Sequence, residues 1–188
     1  MTVFIIMIHQ IVFQGMFIAK NIYLRRKLGL PIRGGNREAN LSIGFFVLFI
    51  ILSVLLGLFE SPLGTVNLLM KTTSMSIALP LLAVNLVVGS ASLLGLRDSW
   101  RVGVLENQQT DLIEVGIYRF SRNPYFLSYL IMFAAYTILL QNIILLVLSL
   151  VGFFMIHAMI LKEEKYLKAL HGEQYRQYRE RVPRYIII

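Results

Sequence analysis

The chain has 188 residues, 57% of them apolar and 15% charged, with a net charge of +8 and no cysteine. Such an apolar excess excludes an ordinary soluble domain, and the missing cysteines exclude disulfides, thiolate metal sites and a cysteine nucleophile. In a soluble protein the basic excess would suggest nucleic acid. Here the basic residues cluster in alternate loops, as membrane topology requires, and no basic patch is left over for nucleic acid.

Residues 2–19 carry no charge and are expected to form a first span, despite His9, Gln10 and Gln14. They lack a basic start and a small-residue cleavage site, so the segment reads as retained and not as a signal peptide. Arg25-Arg26-Lys27, followed by Gly29, Pro31, Gly34 and Gly35, reads as a basic turn region. Residues 41–59 and 72–96 are also uncharged, and a crossing takes about 20 apolar residues. The third span holds Pro80 and Asn85, expected to serve packing: proline frees a carbonyl, and a buried amide bonds a neighbouring helix. Gly89, Ser90, Ala91 and Ser92 would permit close helix contact.

The segment 97–123 is too polar for a simple turn, and Trp100, Val102, Val104, Leu105, Leu112, Ile113, Val115 and Ile117 argue against disorder. It is read as a compact cap. Residues 125–140 and 143–161, separated by Gln141-Asn142, form a helical hairpin whose first arm is short enough to need tilt or local thinning. From Lys162 to Arg181 the composition is that of an interfacial helix, with Tyr166, Leu167, Leu170 and Tyr178 toward the membrane. The expected fold is therefore an all-α integral membrane protein of about five transmembrane helices, four as the fallback. Residues 1–96 hold three of them and a basic loop; residues 97–188 hold the cap, the hairpin and the tail helix. The positive-inside rule puts the first loop, the cap and the C-terminal segment in the cytoplasm.

Polar motifs stand at both mouths of the hairpin. Gly116-Ile117-Tyr118-Arg119-Phe120-Ser121-Arg122-Asn123-Pro124 leads in; Lys162-Glu163-Glu164 and then Gly172-Glu173-Gln174-Tyr175 lead out. No Gly-rich phosphate loop, His-Glu-x-x-His or Gly-x-Ser-x-Gly is present, and His9, His157 and His171 are too scattered to suggest a metal site. The chemistry must rest on positioning more than on activated side chains. Methyl transfer from S-adenosylmethionine has that character.

The ordered set Leu112, Gly116, Tyr118, Asn123, Pro124, Glu163, Glu164, Gly172, Glu173 and Tyr175 resembles the integral-membrane methyltransferases that include isoprenylcysteine carboxyl methyltransferase and the phospholipid N-methyltransferases. The resemblance covers residues 97–185. It implies that Asp111, Leu112 and Ile113 approach S-adenosylmethionine through backbone groups, with Tyr118 beside the adenosine. It further implies that Asn123, Pro124, Tyr125 and Phe126 form the turn that touches this cofactor. Glu163 would take its ammonium or a ribose hydroxyl, and Glu164 would support Glu163 or face the tail. Each residue has a plainer reading too: Asn123-Pro124 as a helix start, Glu163-Glu164 as a solvated pair, Tyr118 as an interfacial anchor.

Two departures from the family pattern bear on the acceptor. Asn123 stands where histidine is common and cannot titrate; Phe126 replaces a tyrosine. Met159 occupies the place of the arginine that holds a prenylcysteine carboxylate, which lowers carboxylate methylation and leaves a lipid amine, a thiol or another small nucleophile. His157, an intramembrane histidine, is a catalytic candidate. The expected partners are a lipophilic or lipid acceptor and membrane lipids, without nucleic acid or metal, and the active site would face the cytoplasm. A nicotinamide-dependent membrane reductase, a non-enzymatic scaffold and a small transporter are the rival readings.

Overall fold

Among the described residues of the computed structural model there are five α-helices: α1 (Thr2–Leu28), α2 (Arg37–Leu58), α3 (Lys71–Gly95), α4 (Pro124–Leu140) and α5 (Ile143–Arg181), with 3-10 turns at Arg97–Ser99 and Gly116–Arg119. It describes residues 1–33, 37–60, 62–102 and 111–186. Gly34, Gly35 and the cap residues Val104, Leu105, Glu106, Asn107, Gln108 and Gln109 lie outside the described residues. α1, α2, α3 and α5 are long and apolar enough to cross a membrane, and α4 is a shorter apolar helix. Helices suit these segments because lipid offers no partner to a backbone N–H or C=O, so each must bond within its own segment. Phe4, Ile11, Val87, Leu94 and Phe154 expose most of their surface, as a face meant for lipid would. The all-α integral membrane fold expected from the sequence is the one observed.

His9 and Gln10 of α1 turn inward. His9 Nδ1 lies 2.8 Å from the Tyr136 hydroxyl and its Nε2 lies 2.9 Å from Asn85 Oδ1. Gln10 donates to the Tyr136 hydroxyl at 2.8 Å, and the Asn85 amide donates to the Ser128 carbonyl at 2.6 Å. One network thus joins α1, α3 and α4 and satisfies groups that would be costly to leave unpaired in hydrocarbon. The same residues that make the first segment look marginal as a span are what fix it to the bundle.

Small residues set the helix approaches. A Cβ at Gly89 would stand 2.9 Å from the Phe13 ring and 3.5 Å from Ser128 Oγ, and one at Gly95 would stand 3.2 Å from the Tyr118 ring. Gly152 is the tightest: its Cβ would fall 2.6 Å from Phe133 Cε2 and 2.9 Å from Phe45 Cε1. Both rings are already locked edge-to-face, 6.3 Å apart. Gly152→Ala is expected to cost about 1–3 kcal/mol by overpacking and to lower the thermal unfolding midpoint in detergent. Gly44→Ala, which meets no atom within 4 Å, should not. Equal midpoints for the two variants would contradict this packing.

At one end of the bundle residues 62–70 close over the hairpin turn. Val66 N–H donates to the Gln141 carbonyl and Ile143 N–H to the Gly64 carbonyl, both at 2.8 Å. Asn142 caps α5, its Oδ1 accepting from Ile144 N–H at 2.9 Å. At the other end α5 runs on past its apolar stretch 143–161 to Gly172, where φ 52° and ψ −118° break the helix; that backbone is strained for any side chain. The break re-aims the last turns toward the cap. Tyr178, expected to face the membrane, is instead 3% exposed and donates to the Tyr118 carbonyl at 2.7 Å. Leu167 likewise packs with Leu112 on the buried Tyr175, Tyr178 and Val182. Arg181 and Gln174 both reach Glu114.

Candidate active site

Local turns start the mouth of the hairpin, and contacts from distant segments complete it. Gly116 takes φ +63°, a left-handed value that glycine adopts without strain, and starts the 3-10 turn that presents Tyr118. The Tyr118 ring rests on Gly95, and its hydroxyl donates to the Ser92 carbonyl at 3.3 Å. Pro124 occupies the first turn of α4, but the Asn123 side chain makes no cap hydrogen bond. Its amide is spent on the tail, donating to the Arg184 carbonyl at 3.2 Å. Arg122 N–H donates to the Pro183 carbonyl at 3.0 Å, and the Ser121 hydroxyl to the Arg184 carbonyl at 3.3 Å. Residues 183–184 therefore strap the turn that opens α4. On the near side Trp100 stacks edge-to-face on Tyr125, 4.7 Å between ring centres, and donates to Asn21 at 2.8 Å.

Together these elements enclose a cavity of about 420 Å³, within the range of small-molecule sites. Asp111, Leu112, Ile113, Tyr118, Asn123, Pro124, Tyr125, Phe126 and Glu163 all line it. Glu164 does not: it is 8% exposed and paired with Arg122 at 3.0 Å and Arg184 at 2.9 Å. His157 does not line it either; its Nδ1 lies 2.9 Å from the Tyr185 hydroxyl, and its ring stacks on Phe153. Neither glutamate is a freely solvated side chain, and Tyr118 is 5% exposed, too buried for a surface anchor. Among the described residues no group of His, Asp or Glu converges as a metal site.

The cavity has two chemically distinct sides. Toward the cap it is lined by Asp111, Arg122, Asn123, Lys162 and Glu163; toward the bilayer it is lined by Leu41, Ile43 and Phe46 of α2 and Met155, Ala158 and Met159 of α5. Ser42 of α2 donates to Met159 Sδ at 2.8 Å across that seam. Leu41 and Ala158 are exposed, so this wall reaches the lipid-facing surface. Tyr129 stacks on Phe46, 4.5 Å apart, and joins Tyr125, Phe17 and Trp100 in an aromatic lining.

Burial and the adjacent Glu164 charge push the Glu163 carboxyl up to about 7. Burial and Glu163 push the Tyr118 phenol well above its ordinary range. For Glu164 burial works in the opposite sense to its partners, but Arg184 and Arg122 hold its carboxyl below the usual range. Two adjacent carboxylates are thus separated in role: Glu164 stays ionised in a structural ion pair, and Glu163 titrates near neutrality at the cavity wall.

The family model of the phospholipid methyltransferases matches residues 72–174, more than half of the chain. The chain belongs to that family. The match takes in α3, the cap, α4 and α5 through the break at Gly172, and so most of the polar side of the cavity. The phospholipid methyltransferase family is one of membrane methyltransferases, and this member carries the helices to reside in a membrane. No curated protein matches the chain. Phe17 of α1 and Leu41, Ser42, Ile43 and Phe46 of α2 line the cavity from outside the matched region. No motif marks them: an apolar residue on a span carries no sequence sign that it faces a ligand and not lipid. Arg122 and Tyr129 were also missed, although Tyr125 and Tyr129, one helical turn apart, were a legible aromatic stripe.

Proposed function

We propose that this protein transfers a methyl group from S-adenosylmethionine to a lipophilic acceptor that reaches the cavity from the bilayer. The observation that carries this reading is one cavity with a polar, cap-lined side and an apolar side at the α2–α5 seam. S-adenosylmethionine supplies an electrophilic methyl on a sulfonium, so the protein need only align and desolvate the partners. Glu163 is suited to hold the cofactor's ammonium or a ribose hydroxyl. Asp111, Leu112 and Ile113 offer backbone groups, and Tyr118 a flat face for the adenine. Asn123, Pro124, Tyr125 and Phe126 shape the turn against which the cofactor rests. The rings of Tyr125, Tyr129, Phe17 and Trp100 favour a cation and keep water away.

Glu164 acts from behind, by fixing Arg122 and Arg184. His157 anchors the tail through Tyr185, and a direct catalytic part for it would require the Tyr185 contact to open. The seam is lined by Met159 where a carboxylate-binding arginine would stand, which favours an amine or thiol of a membrane lipid as acceptor. The basic loops at this end of the bundle orient the cavity toward the cytoplasm. The test is to incubate purified protein with methyl-labelled S-adenosylmethionine and a total lipid extract. Label is expected in the organic phase, suppressed by S-adenosylhomocysteine. Label confined to the aqueous phase under all conditions would defeat the reading.

A further inference from the structure

Arg122 lines the cavity with a guanidinium whose hydrogen-bonding capacity the fold satisfies only in part. Its side chain is 7% exposed, and Nη2 pairs with Glu164 at 3.0 Å. Nε and Nη1 are buried without any hydrogen-bond partner. Glu164 does not reach them: it meets Arg122 only at Nη2, while its carboxylate also accepts from Arg184 Nε at 3.0 Å and Nη2 at 2.9 Å. One carboxylate thus stands between two guanidinium groups, and the Nε and Nη1 edge of Arg122 is left without an acceptor beside the cavity. Buried N–H groups of a charged side chain are costly to leave without an acceptor.

Resting on the methyltransferase reading, we propose that Arg122 is the oxyanion-binding group of this cavity, its Nε and Nη1 receiving a phosphate or carboxylate oxygen of a bound ligand. Both ligands of the proposed reaction could bring that chemistry: the phosphodiester of a phospholipid acceptor, or the carboxylate of the cofactor. The pairing also makes Arg122 removable. In Arg122→Gln, Glu164 keeps its two hydrogen bonds from Arg184 and is not left as an orphan charge. Arg184, which does not line the cavity, supplies the matching control: Arg184→Gln removes the other guanidinium from Glu164 without touching the ligand space.

The experiment measures dissociation constants for wild type, Arg122→Gln and Arg184→Gln against two ligand pairs. One pair is S-adenosylmethionine and its decarboxylated analogue; the other is phosphatidylethanolamine in mixed micelles and phosphate-free sphingosine. Loss of a charge-assisted hydrogen bond is worth about tenfold or more. Arg122→Gln is expected to weaken one oxyanion-bearing ligand by about that factor, leave its oxyanion-free counterpart within about twofold, and exceed the effect of Arg184→Gln. Loss in the cofactor pair assigns the carboxylate; loss in the lipid pair assigns the phosphate. The proposal is overturned if both pairs are unaffected, if the oxyanion-free ligands weaken equally, or if Arg184→Gln reproduces the loss. Wild-type protein that binds the lipid but no S-adenosylmethionine would sink the methyltransferase reading while the lipid pair still decides Arg122. Wild type that binds neither sinks both.

Discussion

Glu163→Gln is expected to abolish S-adenosylmethionine binding and, at the same time, to raise the thermal unfolding midpoint of the protein at pH 8. Both effects follow from the position of the carboxylate, just beyond the apolar stretch of α5, on the cavity wall and next to the ionised Glu164. Its titration near 7 lies above the ordinary carboxylate range of about 4.3. Between those two values the folded protein holds more protons than the unfolded chain, so stability falls as pH rises through that window. Above pH 7 the folded state carries the full cost of an ionised, partly buried carboxylate, on the order of 3 kcal/mol. Glutamine does not carry that cost. The midpoint gap between variant and wild type should therefore be wide at pH 8 and close at pH 4, as read by scanning unfolding in detergent.

The binding half of that prediction has its own pH signature. The group that holds an ammonium must be ionised, so cofactor affinity should weaken by about tenfold from pH 8 to pH 6 as Glu163 takes up its proton. Glu163→Gln should show no such slope. A variant that loses binding without gaining stability would mean that Glu163 is a structural residue whose charge is compensated elsewhere. A variant that gains stability and keeps binding would remove Glu163 from the cofactor site.

The second large effect concerns the α2–α5 seam. Ser42 and Met159 touch across it, and the chain has no native cysteine, so Ser42→Cys with Met159→Cys introduces the only two thiols. Bridging them with a short, reducible bis-thiosulfonate reagent should stop methylation of a lipid acceptor by about tenfold or more, as closing a gate to substrate does. The dissociation constant for S-adenosylmethionine should stay within about twofold, since the polar side of the cavity is untouched. Reductant should restore turnover, and each single-cysteine variant treated alike should keep it. Undiminished turnover in the bridged protein would show that the acceptor enters elsewhere. Loss of cofactor binding as well would show that the seam supports the whole cavity.

Much of the fold was legible because lipid imposes a simple code: long uncharged runs are spans, and basic residues mark alternate loops. The hairpin and its short first arm could both be located from charge spacing. Several side chains that line the cavity were legible where the chain departs from apolar monotony, as at Asp111, Tyr118, Asn123 and Glu163. Three features were not. The Asn123-Pro124 pair reads as an ordinary capped helix start, and only in three dimensions does its amide turn to the carbonyl of Arg184. Tyr178 shares the composition of an interfacial anchor, and only the break at Gly172 decides that it packs beneath Tyr118. Arg122 is one basic residue among many that set topology, and nothing local announces that Glu164 and Arg184 would hold it buried at a cavity wall. In each case a contact across more than twenty residues overrides a sound short-range reading.

The most direct test of the central claim is calorimetric titration of the detergent-purified wild-type protein with S-adenosylmethionine. Micromolar, one-to-one binding that S-adenosylhomocysteine displaces is the predicted result. Absence of any heat with S-adenosylmethionine from monodisperse protein, together with saturable binding of a nicotinamide nucleotide, would contradict it.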